Sequence, residues 1–172
     1  MVAALAIVVS VGMQIAEWRR ARFSRGLDVL GTMDARWDSA EFRETRRQAA
    51  ADLLDRQSDP LEAEAVRDVL NFFETLGFLL RKEVVEADAV WHYFGSWLLP
   101  YTSAAASLTE SYRAVDPNCL TEIEALVRAV WDVEIERNPQ ASGEGALTDE
   151  RVRTFLEKEG KLSAPRRPML SD

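Results

Sequence analysis

The chain has 172 residues, 47% of them hydrophobic, and its 21 basic and 29 acidic side chains give a net charge of -8. That length accommodates one domain with a substantial hydrophobic core. The first 25 residues hold four Arg and one Glu, a charge of +3, which leaves -11 for the rest. So acidic a body excludes nucleic acid as the expected partner, because binding a phosphate backbone needs clustered Lys and Arg.

The first predicted element is a transmembrane anchor over residues 1–18. Met1 to Ala16 carry no charge, and as a helix they would span roughly 24 Å, less than a hydrocarbon core of about 30 Å. We therefore expect the end of the anchor to reach the headgroups, where indole and snorkelling guanidinium groups are favourable. The predicted membrane-interface residues are Trp18, Arg19, Arg20, Arg22 and Arg25.

Three other interpretations of this apolar segment stay open. A signal peptide would carry its positive charge before the apolar run and a small-residue cleavage site after it, whereas here Trp-Arg-Arg follows. The segment is also compatible with a helix buried in a soluble core or an oligomer interface. A start codon assigned too late would explain its short length.

The predicted orientation follows from the basic residues after the anchor. Lys and Arg are retained on the cytoplasmic side of a membrane, and no positive side chain precedes the apolar run. We expect a single-pass protein of the cell membrane, with its N-terminus outside and its C-terminal domain cytoplasmic. A single cysteine, Cys119, fits a reducing compartment because it can form no internal disulfide.

The expected fold class is all-α, an N-terminal membrane-anchor helix that continues into a cytoplasmic bundle of about five helices. No run alternates apolar and polar residues with β-branched enrichment, and no Asn-Gly or Asp-Gly hairpin turn occurs. Residues 19–36 are predicted to be a basic collar and juxtamembrane helix, and residues 37–138 the helical bundle.

The bundle is predicted to begin with two helices. Asp38 and Glu41 form a capping-box pattern for the first, whose apolar face is made by Phe42, Ala49, Ala50, Leu53 and Leu54. The next is predicted to start at Asp59-Pro60. Its apolar arc is broad, so we expect it at the centre of the bundle; the arc comprises Val66, Val69, Leu70, Phe72, Phe73, Leu76, Leu79 and Leu80.

The second half of the chain is also predicted to be helical. A helix begins near Glu86 and is expected to be kinked or ended by Pro100, after which small residues lead to Tyr112. Another carries an apolar stripe from Ile123 to Trp131 and ends near Asn138. Residues 139–160 are predicted to be a flexible loop and a short C-terminal helix capped by Thr148, and residues 161–172 a disordered tail.

Several short segments together carry a family resemblance. They are Trp37 to Ala49 with Glu41-Phe42-Arg43 and Arg46, Val69-Leu70-Asn71-Phe72-Phe73-Glu74, Leu76-Gly77, and Val90-Trp91 with Phe94-Gly95. The chain thereby resembles an uncharacterised bacterial family of small single-pass membrane-anchored helical proteins, domain of unknown function 4760, over roughly residues 1–131. The resemblance implies a fold and a location but no activity.

One cluster has the residue types of a metal site. Asp88 and His92 lie four apart on one helical face, with Glu86 nearby, and a His with carboxylates can bind Zn or Fe. His92 is the only histidine, however, and no paired Glu-x-x-His or His-Glu-x-x-His motif occurs. We therefore favour Glu86 and Asp88 as acidic residues of a helix N-terminus and expect no metal or other cofactor.

Two polar residues interrupt the most apolar predicted helix. Asn71 and Glu74 lie three apart, and a buried carboxylate without a partner is costly. We expect Glu74 to form a structural ion pair with Arg46, or with its neighbour Arg47, on the preceding helix. Such a pair would fix helix register more than it would add stability.

Neither a nucleophile nor a phosphate loop is well supported. Cys119 follows Pro117-Asn118 at a predicted helix start, where the helix dipole would lower its pKa, but without a nearby His we favour an ordinary half-buried cysteine. Ser142-Gly143-Glu144-Gly145 lacks the Lys-Ser/Thr and the preceding strand of a phosphate loop.

No motif indicates a reaction, so we expect a non-catalytic protein. The favoured function is a membrane-tethered helical module that binds or positions a protein partner at the cytoplasmic face, through the candidate aromatics Trp91, Trp97 and Tyr101. One alternative is a self-assembling homo-oligomeric membrane protein, whose N-terminal helices associate through Ala3, Ala4, Ser10 and Gly12. The other is a metal-binding enzyme that uses Asp88 and His92.

Overall fold

The structure is a computed structural model that describes residues 2–55, 63–142 and 147–162, without the side chains of residues 2–13, 15, 16, 18, 19, 141 and 142. Within those residues it has no strand, which confirms the all-α class. The helices are α1 (Val2–Trp37), α2 (Ala40–Leu54), α3 (Glu64–Arg81), α4 (Ala87–Ala104), α5 (Ala106–Val115), α6 (Ile123–Arg137) and α7 (Asp149–Glu159), with a 3₁₀ turn at Pro139–Ser142.

The first helix is continuous for 36 residues, and its C-terminal part belongs to the bundle core. Gly26, Leu30, Met33 and Trp37 are buried at spacings of four, three and four, the pattern of a helix that faces a core along one stripe. Gly26 allows α1 to lie directly against the backbone that precedes α4, since a Cβ at this position would lie 2.5 Å from the carbonyl oxygen of Val84. Among the described side chains of α1, burial therefore begins at Gly26, well before the predicted bundle start at residue 37.

Among the residues that the structure describes, no helix is both long and apolar enough to cross a membrane. Met1 and the side chains of Trp18 and Arg19 lie outside the described part. The transmembrane anchor stays a prediction.

The third helix lies at the centre, as its broad apolar arc predicted. Six of the eight predicted arc residues are buried and the other two, Leu79 and Leu80, are half-buried. Trp37, at the end of α1, packs on this helix, with ring centroids 4.8 Å from Phe72 and 5.3 Å from Phe73. The predicted start of this helix at Asp59-Pro60 lies outside the described residues.

The helix termini in the middle of the chain differ in part from the prediction. Ser39 caps α2 by accepting a hydrogen bond from the backbone N–H of Phe42 at 3.2 Å. Pro100 does not end its helix: α4 continues to Ala104, since packing of the buried Leu98, Pro100 and Tyr101 outweighs the missing backbone hydrogen bond. The small-residue segment that follows is itself helical, as α5.

The third and sixth helices approach closely at Gly77, where a Cβ would lie 2.7 Å from the carbonyl oxygen of Glu122. Thr148 caps α7 as predicted, accepting a hydrogen bond from the N–H of Arg151 at 3.3 Å. This last helix packs against α2 and α4.

Candidate functional site: a buried arginine between two tryptophans

A charged side chain occupies the buried face of the second helix. Arg46 follows Phe42 by four residues and precedes Ala49 and Ala50 by three and four, so helical geometry places it on the same stripe as these buried residues. Its side chain is only 3% exposed. A guanidinium so far from water requires partners for its charge and its N–H groups.

The main partner of Arg46 is Glu159, the last residue of α7. Nε of Arg46 donates to Oε2 of Glu159 at 2.8 Å, and Nη2 donates to Oε1 at 2.9 Å. The Glu159 side chain is only 8% exposed. Two parallel charge-assisted bonds of this kind are strong and fix the relative orientation of the two groups.

Two tryptophan rings enclose the guanidinium. The Cζ atom of Arg46 lies 4.6 Å from the ring centroid of Trp37 and 5.5 Å from that of Trp97, within the range of a cation–π interaction. The remaining nitrogen, Nη1, donates to the carbonyl oxygen of Trp37 at 3.3 Å. The buried indole N–H of Trp37 has no hydrogen-bond partner among the described residues.

Tyr101 completes the site from the fourth helix. Its hydroxyl lies 3.0 Å from Oε2 of Glu159 and 3.1 Å from the carbonyl oxygen of Arg46, so one proton serves two acceptors. Burial, and then the negative charge of Glu159, raise the pKa of Tyr101 well above its ordinary value of 10.0. The hydroxyl therefore remains a donor at any physiological pH.

We call Trp37, Arg46, Trp97 and Tyr101 together the carboxylate slot, because their geometry fits a carboxylate. Arg46 supplies a planar pair of donors, Tyr101 supplies a third, and the tryptophan rings exclude water. Both oxygens of Glu159 accept hydrogen bonds from Arg46, so this carboxylate is held in place.

The predicted Arg46–Glu74 ion pair does not form, because each residue has a different partner. Glu74 points to the start of α6, where its Oε2 accepts hydrogen bonds from the backbone N–H groups of Glu122 at 2.9 Å and Ile123 at 3.0 Å. Those N–H groups belong to the first turn of a helix, which favours a negative charge. Arg47 instead pairs with Glu44 on its own helix.

The three candidate partner-binding aromatics lie in different environments. Tyr101 is fully buried and Trp97 is half-buried against Arg46, so both serve the bundle interior. Trp91 lines a surface cleft of about 430 Å³ together with His92 and Trp131. Its indole N–H donates to Oε2 of Glu134 at 2.6 Å, and the guanidinium of Arg137 lies over its ring, so Trp91 also joins α4 to α6.

The residues of the predicted metal alternative make other contacts in the structure. Asp88 forms an ion pair with Arg137, whereas His92 is exposed and its ring lies edge-on to Tyr93. Within residues 2–55, 63–142 and 147–162, no three His, Cys, Asp or Glu side chains form a group that could hold a metal ion. Glu86 immediately precedes α4 and Asp88 lies in its first turn.

Cys119 departs from the reactive alternative. It lies in the turn between α5 and α6, half-buried. Burial, and then the charge of Asp116, raise the pKa of its thiol above the ordinary value of 9.0, which agrees with the favoured interpretation of an ordinary half-buried cysteine.

The arginines of the basic collar whose side chains are described, Arg20, Arg22 and Arg25, lie in two kinds of environment. Arg22 donates to the carbonyl oxygen of Glu83 at 2.6 Å and to its carboxylate at 2.8 Å, which attaches α1 to the turn before α4. Arg20 and Arg25 are exposed, and Arg25 donates to the carbonyl oxygen of Ala21. At least one predicted interface residue thus also positions the first helix on the bundle.

Sequence reasoning missed Glu159, although its spacing was informative. Val152, Leu156 and Glu159 are separated by four and three residues, so the glutamate falls on the buried stripe of α7. Arg46 has the same relation to the apolar face of its own helix. Each of these two residues is a charged side chain at an apolar position of a helical stripe, and their charges are opposite. This pattern would have predicted the Arg46–Glu159 pair.

Fold and site together define a small all-helical bundle whose last helix is joined to the core by a buried ion pair. Residues 1–130 match the family described as Domain of unknown function (DUF4760), and the chain belongs to that family. Comparisons with curated proteins and with solved structures give no match. The matched region contains the whole carboxylate slot, whereas Glu159 and α7 lie beyond it.

Proposed function

We propose that the protein is a membrane-tethered, non-catalytic helical module that positions a protein partner at the cytoplasmic face. The observation that carries this proposal is the division of α1 into two parts. From Gly26 to Trp37 the helix contributes to the bundle core, whereas the described side chains between Gln14 and Ala21 are exposed.

The part of the helix before the bundle has the composition of a tether. Arg22 makes the first described contact with the bundle, and the preceding helix from Val2 to Ala21 measures about 30 Å. Its uncharged part ends at Ala16 and is shorter than a hydrocarbon core, so Glu17, Arg19 and Arg20 would lie among the headgroups. Its sequence carries no charge before Glu17, and its basic residues all lie on the bundle side. This arrangement supports an outside N-terminus and a cytoplasmic bundle.

The environment of the titratable groups supports a non-catalytic role. The carboxylates of Asp88 and Glu159 are engaged by arginines, and the pKa of Cys119 is raised rather than lowered. Catalytic groups are usually poised by an environment that shifts their pKa toward the working pH. The described titratable groups instead hold helices together.

Membrane fractionation of the full-length chain tests the tether. We expect the protein to sediment with membranes and to need detergent for release. Val8→Arg places a charge in the apolar run, which costs about 2.5–3.5 kcal/mol at the centre of a membrane helix, so this variant should shift to the soluble fraction. Ala35→Arg adds the same charge at an exposed position of the same helix and should stay with the membrane.

Two outcomes would contradict the proposal. A wild-type chain that fractionates as a soluble monomer without detergent removes the tether. A discrete homo-oligomer that is soluble without detergent, and that Val8→Arg dissociates, would instead assign the apolar segment to self-assembly.

A further inference from the structure

We propose that the carboxylate slot is a docking site for an acidic amphipathic helix of a protein partner, and that α7 is the occupant present in the free chain. The partner helix would carry apolar residues at its first, fourth and fifth positions and Glu at its eighth. This is the pattern of Val152, Phe155, Leu156 and Glu159. The inference rests on the proposed function, because it names the site at which that function binds its partner.

The seventh helix has the features of a helix added to a completed bundle. Only Val152, Leu156 and Glu159 are buried, and Phe155 contacts Tyr101 edge-on with ring centroids 5.1 Å apart. The opposite face is charged and exposed; it comprises Asp149, Glu150, Arg151, Arg153, Glu157 and Lys158. A helix of 11 residues is too short to be stable alone, so the groove between α2 and α4 must hold it in its helical form.

The position of Glu159 indicates that the slot selects a carboxylate. Glu159 is the last residue of its helix, where the helix dipole disfavours negative charge and a Lys or Arg is the usual choice. Arg46 compensates for this unfavourable placement with two hydrogen bonds of 2.8 and 2.9 Å. An uncharged residue at this point would remove the main counter-charge of a buried guanidinium and leave only Asp38, 3.8 Å from Nη1.

The slot is built without any residue of its occupant. Its walls come from the end of α1, from α2 and from α4, all of which lie inside the matched family region. The occupant comes from beyond that region. A binding site complete in one part of the chain and filled by another part can be filled equally by an external helix of the same pattern, by the helix-in-groove mode.

Exchange of occupants is favoured over an empty slot. Arg46 is 3% exposed with α7 in place, and departure of that helix would remove both hydrogen bonds from Glu159 and leave Asp38, at 3.8 Å, as the remaining counter-charge. A partner helix that supplies a carboxylate as α7 leaves would restore those bonds. Competition between the two helices is the measurable consequence.

A labelled peptide of residues 148–162 serves as the probe for this competition. On the full-length protein its binding should be weak, because α7 in the same chain competes at high effective concentration. In the Glu159→Gln chain the internal helix loses its carboxylate, and the peptide should bind about ten-fold more tightly or better, since hydrogen bonds to charged groups are worth that much.

Two matched controls isolate the carboxylate. Glu157→Gln removes an exposed carboxylate from the same helix, and this chain should bind the peptide no better than wild type. A peptide that itself carries Glu159→Gln should lose about ten-fold in affinity for the Glu159→Gln chain. Equal binding by both chains, or by both peptides, would overturn the proposal.

Hydrogen exchange on the unmodified chain keeps the test decisive if Glu159→Gln fails to fold. The amides of α7 should exchange about ten-fold faster than those of α3 or more, because a releasable helix opens separately from the core. Equal rates in the two helices would mean that α7 leaves only on global unfolding, and the inference would fail. Neither readout involves the membrane, so failure here is distinguishable from failure of the tether.

Discussion

Two arginine–carboxylate ion pairs in this protein have the same chemistry but differ in how deeply they are buried. Arg46–Glu159 and Arg137–Asp88 each join two helices that are distant in sequence. In each pair the guanidinium lies over a tryptophan ring: Cζ of Arg46 is 4.6 Å from the ring centroid of Trp37, and Cζ of Arg137 is 4.7 Å from that of Trp91. The side chains of the first pair are 3% and 8% exposed, whereas those of the second are 47% and 58% exposed. Burial is the main difference between the pairs; in addition, Arg46 bonds both oxygens of Glu159, whereas Arg137 bonds one oxygen of Asp88.

Burial determines what each pair can do for the protein. Water and salt screen the exposed pair, so its formation changes the free energy of unfolding little. The buried pair has been removed from water at a high desolvation cost, and its members depend on each other. We infer that the inner pair specifies where α7 docks, whereas the outer pair is a local contact between α4 and α6.

The largest predicted effect comes from breaking the buried pair on one side. Glu159→Leu removes the main counter-charge of the buried Arg46 and leaves only the half-exposed Asp38, 3.8 Å from Nη1, so the free energy of unfolding should fall by about 3 kcal/mol. Denaturant unfolding of the purified chain measures this change.

The double variant Arg46→Met with Glu159→Leu is the matched control. It replaces both charges by apolar groups of comparable size, so it should recover most of the stability lost in the single variant. If the double variant is instead as unstable as the sum of two single losses, the pair contributes net stability, and dependence between its members is not the main effect.

The distance in sequence between contacting residues explains how much of the fold could be predicted from the sequence. The central position of α3 followed from its apolar arc, and the cap of α7 followed from Thr148, because both depend on residues close together in sequence. Of the two outcomes predicted at Pro100, a kink or an end, the end is excluded, because packing with other helices compensates for the local defect. Helix α5 was missed because the small residues Ala104, Ala105 and Ala106 were interpreted as a connection between helices.

The candidate site was only half predicted, for a related reason. The sequence indicated that Glu74 needs a basic partner, and Arg46 was chosen because it lies on the preceding helix. The true partner of Arg46 is 113 residues away, and no local pattern gives that separation. Glu74 was an equally sound candidate chemically, and its carboxylate is instead satisfied by the backbone N–H groups at the start of α6.

A smaller effect is predicted for the third member of the buried network. Tyr101→Phe removes the hydroxyl that bonds Oε2 of Glu159 and should lower the free energy of unfolding by about 1–2 kcal/mol at neutral pH. The ion pair itself is retained in this variant. A loss as large as that of Glu159→Leu would mean that the hydroxyl and the guanidinium are equally important to the carboxylate.

The pH dependence of the same variant sharpens the comparison. The pKa of Tyr101 is raised in the folded chain, first by burial, so its contribution is fully present below the ordinary value of 10.0 and is lost as the pH rises above it. The stability gap between wild type and Tyr101→Phe should therefore narrow above about pH 10, by at most about 1.4 kcal/mol per pH unit. Denaturant unfolding of both chains at about pH 8 and about pH 11 measures this gap. Tyr112 and Cys119 also have raised pKa values, but both chains contain them, so their effect cancels in the difference. A constant gap would contradict the placement of the Tyr101 hydroxyl.

The smallest effect is predicted for the exposed pair, and it completes the comparison. Asp88→Asn should change the free energy of unfolding by only about 0–1 kcal/mol, because water solvates Arg137 once its partner is gone. Part of even this change reflects the loss of a carboxylate from the first turn of α4, where negative charge is favoured. Repeating the measurement at about 1 M salt should abolish most of the difference, since the Debye length is then about 3 Å. A salt-independent loss as large as that of Glu159→Leu would show that exposure does not separate the two pairs, and that stacking on tryptophan accounts for the stability of both.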